Sequence, residues 1–176
     1  MLIKILAAIA TIVAAFLVYV AFLPQVGTIT RSAVIAATPE AIYPHINSLK
    51  KWNDWSPWAK LDPAAKNSFD GPDEGPGAAF TWDGNNEVGS GKMTVLESDP
   101  NSRVKIKLDF LKPMPSTSVA EFTLKPEAGG TKVTWSMSGE RPYLQRVMCV
   151  LFNVDKMVGE MFEKGLASLA AVAAKT

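Results

Sequence analysis

The chain has 176 residues, 18 basic and 17 acidic side chains, and a formal net charge of +1. That length supports one domain with a real core plus an appendage. The Lys and Arg residues are interspersed with acids, so the chain lacks the concentrated positive footprint of a nucleic-acid binder, and no nucleic-acid partner is expected. A single cysteine, Cys149, and a single histidine, His45, exclude an intramolecular disulfide and any multi-cysteine or multi-histidine metal site. No metal and no cofactor are expected.

In chain order, the first element is the appendage. Leu2 to Leu23 is a run of 22 residues whose only charge is Lys4, and Pro24 ends it. As a helix rising about 1.5 Å per residue, it crosses a hydrocarbon layer of about 30 Å. A cleaved signal peptide and a buried helix are the competing readings. The run exceeds a usual signal core, and Val18 to Pro24 offers no clean small-x-small cleavage site, so an anchor is favoured. Residues 1–25 are therefore expected to be a transmembrane anchor or signal segment, with membrane contact through residues 2–23. Residues 26–176 form the folded domain. Lys4 ahead of the run, with Arg31 the first charge after it, places a single-pass protein's domain on the non-cytoplasmic side.

Val26 to Ala36 alternates and is β-branched, and Arg31 among its residues marks an edge or partly exposed strand. Thr38-Pro39-Glu40-Ala41 is a helix start, with a Thr cap, Pro at the first helical position and an acid at the positive end of the dipole. That helix is expected to reach about Leu49, with Pro44 awkwardly placed in it. A second short helix or turn carries three tryptophans in seven residues, Trp52, Trp55 and Trp58. From Asn67 onward the texture is strands and turns. Gly71 to Gly77 is a Gly/Pro turn, Ala78 to Asp83 a strand, Asp83 to Asn86 a hairpin turn, and Gly89 to Glu97 the next strand. Arg103 to Phe110 gives the cleanest alternation, with Val104, Ile106, Leu108 and Phe110 on one face. Ser116 to Lys125 and Thr131 to Ser138 follow, split by Gly129-Gly130. Apolar residues at intervals of three and four then predict one long helix from about Pro142 to Ala174.

A strand, two short helices, about six antiparallel strands and a long amphipathic helix make an α+β domain. A curved sheet of that size buries its concave face against the final helix. The chain resembles the helix-grip (START/SRPBCC) superfamily over residues 28–174. The resemblance rests on Thr38-Pro39-Glu40-Ala41-Ile42-Tyr43 after the first strand and on Trp52-x-x-Trp55-Ser56-Pro57-Trp58. It extends through Gly75-x-Gly77, Phe80-x-Trp82-x-Gly84, Gly89-x-Gly91 and Gly130-Thr131-x-Val133-Thr134-Trp135. The pieces match bacterial members of the polyketide cyclase/dehydrase-like branch that carry an amino-terminal membrane segment. The resemblance implies a helix-grip fold, six to seven curved strands wrapped on a carboxy-terminal helix, with a hydrophobic cavity between them. It supplies no catalytic motif that transfers by position, and function has to be argued from the site.

The expected lining of that cavity comes from the sheet residues Trp82, Met93, Ile106, Leu108 and Phe110, then Phe122, Trp135 and Met137. Met157 and Met161 contribute from the last helix, and Trp55 and Trp58 are expected at the rim. Methionines adapt equally to irregular cores and to ligands, so a filled core and a real cavity both fit. Asp83, Glu87, Glu97 and Glu121 mostly point outward by parity, which makes them poor acid–base candidates. The leading expectation is a membrane-anchored module that binds a hydrophobic small molecule or lipid. The alternatives are a polyketide cyclase/dehydrase-like enzyme, which requires a polar cluster in the cavity, and a protein-interaction module of co-chaperone type. No catalytic residue is identifiable, and the balance leans away from an enzyme.

Overall fold

The Leu2–Ala21 segment folds as a single helix, α1, because it contains no Gly or Pro and Pro24 lies just beyond its end. In the computed structural model, which describes residues 1–175, α1 is long and apolar enough to cross a membrane, as an anchor or a signal sequence both are. Seven strands follow in an all-antiparallel sheet: β1 (Val26–Ile35), β2 (Lys66–Asp70), β3 (Ala79–Asp83), β4 (Ser90–Asp99), β5 (Arg103–Lys112), β6 (Ser116–Glu127) and β7 (Gly130–Glu140). Their order across the sheet is β1-β7-β6-β5-β4-β3-β2.

That order dictates the rest of the architecture. β1 and β2 are successive in sequence yet occupy opposite edges, about 30 Å apart at ordinary strand spacing. Residues 36–65 must therefore cross the sheet, and they do so as α2 (Pro39–Asn47), a 3-10 turn at Leu49–Lys51, α3 (Trp52–Trp55) and a second 3-10 turn at Pro57–Lys60. Thr38 caps α2 through its carbonyl, which accepts from Ala41 and Ile42. The helix runs on through Pro44 and ends at Asn47, two residues short of the expected end. β4 carries a bulge at Leu96, between Val95 and Glu97, that bends the sheet around this crossing arm.

The register sorts side chains cleanly. Val95, Ile106, Ala120, Met137 and Ile29 form one row across the inner face, and Phe122, Trp135 and Arg31 lie in the next. Most of these apolar residues are buried together with Ile42, Ile46, Leu49 and Leu166.

The carboxy-terminal region corrects one expectation. The predicted continuous helix is two helices, α4 (Tyr143–Leu151) and α5 (Val154–Ala173), broken at Phe152-Asn153. Asn153 adopts φ +47°, a left-handed conformation that Asn tolerates better than most residues. Apolar spacing runs through the break because each helix has its own stripe. α5 packs on β1, α2 and α3, whereas α4 packs on α5 and α1.

Gly165 sets how closely α5 approaches the sheet. A Cβ there would sit 2.8 Å from the Trp135 ring and 3.3 Å from Pro57. Gly165→Ala gains about 1 kcal/mol of helix propensity, but the ring it meets is pinned on every side. We expect a net loss of about 1–3 kcal/mol, read as a lowered melting temperature of the full chain in detergent. A raised melting temperature would show that α5 floats over Trp135.

Candidate functional site

Five of the six rings at the centre of the molecule come from two places, the Trp52–Trp58 segment and the inner faces of β6 and β7. Trp135 stacks on Phe162 of α5 at 4.1 Å with 6° between the planes, and lies 4.7 Å from Phe122. Trp52, Trp55 and Trp58 meet it edge-on at 6.1, 5.7 and 5.9 Å. The indole N–H groups of Trp52 and Trp55 donate to the carbonyls of Ile46 and His45, each at 2.9 Å. These bonds satisfy the two polar atoms while the rings fill the space between the crossing arm and the sheet.

The expected lining residues therefore divide. Met93, Ile106, Phe122 and Trp135 are buried in this packed half. Trp55, expected at a rim, is fully buried at the centre, and Trp58 is half-buried against Trp135 and Phe162. Trp82, Leu108, Phe110 and Met137 lie on the same inner face and are only half-buried; Leu108 is level with Met93 and Met137 with Ile106, while Trp82 and Phe110 sit one row nearer the end where α1 enters. Met161 is half-buried on α5, and Met157 is exposed at its start.

The half-buried group forms an apolar band. Trp82 lies over Gly91, where a Cβ would come within 2.5 Å of the indole, and Phe110 meets Trp82 edge-on at 6.0 Å. Phe80 stacks on Trp82 at 6.0 Å and on Phe69 at 5.1 Å. The Trp82 N–H donates to the Val88 carbonyl at 3.1 Å. Along the neighbouring row, Leu108 is followed by the small residues Ser118, Gly139 and Gly27. The Arg141 side chain lies over Gly27 and pairs with Asp155 of α5 at 2.8 Å. Further along, Arg31 lies over Gly159 and pairs with Glu163 at 2.7 Å. Two ion pairs thus bridge the β1 edge and α5, each worth about 0–1 kcal/mol at this exposure.

Sequence reading missed these features for identifiable reasons. Gly89-x-Gly91 was visible as a motif, but its role as the bed of Trp82 requires the β3–β4 register. The Arg31 and Arg141 pairs join residues far apart in the chain, and nothing local signals them.

The ionisable groups offer little chemistry. Glu97 and Glu121 lie on the outer face of the sheet within an ion-pair ladder with Arg103 and Lys105, and the Lys105 hydrogen bond and charge hold the Glu97 carboxyl below its ordinary range. Asp83 faces Lys112 at 3.6 Å, and Glu87 lies in the turn between β3 and β4. Burial raises the Cys149 thiol above its ordinary value, which keeps it protonated and unreactive at neutral pH. Among the described residues, no group of three or more His, Cys, Asp or Glu is placed to hold a metal.

His45 is a pH reporter for the fold. Burial, aided by the Lys51 charge, lowers its pKa below 6.5. Its folded value lies under its unfolded one, so acidification protonates the unfolded chain first. The contribution is intact above 6.5 and drains as pH falls from 6.5 through the folded value. The lowered carboxyls Asp73, Glu97 and Asp109 act at more acid pH, because their ordinary values are 3.8 to 4.5. We expect denaturant midpoints to fall as the pH drops below 6.5 in the native chain, and to stay flat in His45→Asn until the carboxyls begin to protonate. Parallel slopes in the two would assign the effect elsewhere.

A curved antiparallel sheet gripping a carboxy-terminal helix, with a helical arm crossing its concave face, defines the helix-grip class. The chain belongs to the family described as polyketide cyclase / dehydrase and lipid transport, whose profile matches residues 27–174. Among solved structures, it is similar to protein MLL2253 from Mesorhizobium loti, with a TM-score of 0.62, 20% identity, 85% of this chain and 98% of that one covered. The di-domain ARO/CYC StfQ from the steffimycin biosynthetic pathway also gives 0.62, at 12% identity over 86% of this chain and 51% of that one. This chain thus spans about half of StfQ. Ara h 8.0201 gives 0.57, at 12% identity over 86% and 99%. No curated protein matches the sequence.

Proposed function

We propose that the chain is a membrane-anchored binding module for a hydrophobic small molecule or lipid, held on the half of the concave face nearest α1. The observation that carries this reading is the band of half-buried Phe80, Trp82, Leu108, Phe110 and Met137 on the inner face of the sheet. The interior half beyond it is filled with rings. A ligand burying roughly 300 Å² of apolar surface there gains about 7 kcal/mol before association costs. Ser118 and Arg141 are the polar groups in the adjoining row and suit a headgroup or carboxylate at the ligand's end.

The anchor supports the same reading, because tethering raises the effective concentration of the face at a bilayer. The packing of α4 favours α1 as a retained part of the protein. The guanidinium of Arg146, itself buried, donates to the carbonyls of Val20, Ala21 and Leu23 at 3.3, 3.2 and 2.7 Å. They gather at the negative end of the α1 dipole, where the Val20 carbonyl also accepts from the Leu23 N–H. Cleavage of residues 1–25 would strand a buried cation. Lys4 ahead of α1 favours a domain on the non-cytoplasmic side.

The test is photocrosslinking of a diazirine fatty acid to the full chain in liposomes, followed by peptide mapping. Labels on peptides carrying Trp82, Leu108 and Phe110, as well as on α1, support the proposal. Labels confined to α1 would remove it.

A further inference from the structure

The strand directions place every loop at one end or the other. Val26 pairs with Glu140 and Ser90 with Lys112, so the connections β3–β4, β5–β6 and β7–α4 all lie at the end of the sheet where α1 joins. That end carries an unusual amount of exposed apolar surface. On α4, Leu144, Met148 and Leu151 follow an i, i+4, i+7 line and are exposed, and Phe152 extends the line at the helix break. At the end of β5 and on the β5–β6 connection, Leu111 and Met114 are exposed. The opposite face of α4 is committed: Arg146 bonds to the end of α1, and the Tyr143 hydroxyl donates to the Leu17 carbonyl at 2.9 Å.

These contacts fix a depth. Leu17 lies four residues before the end of α1, or about 6 Å along its axis. If α1 spans the bilayer, a helix bonded at Leu17 lies at the boundary between headgroups and acyl chains. Amphipathic helices in that plane bury their apolar faces by about 5–10 Å. An exposed apolar stripe on a helix tied to the last turn of a membrane span therefore already has an occupant beside it.

We propose that α4 lies in the membrane interface, with Leu144, Met148, Leu151 and Phe152 in lipid and the β5–β6 tip at Leu111 and Met114 touching the same leaflet. The apolar band of the concave face then opens against the bilayer, and a lipidic ligand passes between the two without crossing water. The break at Asn153 has a purpose in this arrangement, because it turns α4 from the axis of α5 toward α1. The inference rests on α1 spanning the membrane.

The experiment is site-directed spin labelling of the full chain in phosphatidylcholine–phosphatidylglycerol vesicles, in a Cys149→Ser background. Collision with oxygen is compared with collision with a water-soluble nickel chelate. Val13→Cys, in the middle of α1, is the lipid reference, and Lys125→Cys, at the far end of β6, is the water reference. Leu144→Cys, Leu151→Cys and Met114→Cys are expected to shift toward the Val13 value. If Val13 reads as lipid while those three read as water, α4 is not docked and the anchor stands. If Val13 itself reads as water, the spanning assumption fails and the proposal falls with it. Circular dichroism of each labelled chain confirms that the comparison is between folded proteins.

Discussion

Trp135→Ala is expected to cost about 3–5 kcal/mol, the largest effect of any single substitution in the domain. The indole is 3% exposed and touches five other rings from three separate segments of chain. Removing it deletes the apolar area of the largest side chain and leaves a hole that the surrounding rings cannot close. Trp52 and Trp55 are held by their backbone hydrogen bonds, and Phe162 is carried on a helix already fixed at Gly165. Aromatic pairs add about 0.5–1.5 kcal/mol beyond area. Domains of this kind are stable by about 5–15 kcal/mol, so the variant should melt roughly 10 °C or more below the native chain. A loss of under about 1 kcal/mol would mean that the aromatic centre is loosely packed and able to admit a ligand.

Phe110→Glu is expected to act in the opposite way, leaving the fold intact and emptying the face. Phe110 is half-buried near the end of β5, where a carboxylate can reach water, so the melting temperature should move little. The same carboxylate stands in the apolar band beside Trp82 and removes the edge-on ring contact. A hydrophobic ligand seated there would have to desolvate it, at a cost of several kcal/mol. We expect at least about a tenfold loss of affinity, equivalent to 1.4 kcal/mol or more. Unchanged ligand uptake by a folded Phe110→Glu chain would place the binding site elsewhere.

Much of this architecture was legible in the sequence because alternation and turn chemistry are local. Val104, Ile106, Leu108 and Phe110 do share the inner face of β5, and Gly71 takes the positive φ that its place in a Gly/Pro turn implies. Arg31 marks β1 as an edge or partly exposed strand, and the structure has it at the edge. The break at Asn153 was hidden, because two helices with separate stripes look like one long periodic run. The division of the inner face was hidden as well. Whether Met93 or Phe110 is covered depends on where the crossing arm lies, and that is set by β1 and β2 occupying opposite edges. Trp55 illustrates the same limit. Its composition suits a rim or a centre equally, and only the carbonyl of His45 within reach of its N–H decides for the centre.

The most direct test of a hydrophobic-ligand module is native mass spectrometry of the full chain, purified in mild detergent from membranes and released from its micelle in the gas phase. A module of this kind carries a discrete apolar adduct on the native chain that is lost on denaturation and absent from Phe110→Glu. A native chain that carries no adduct and takes up none from added lipids would contradict it, and so would equal adducts on both chains.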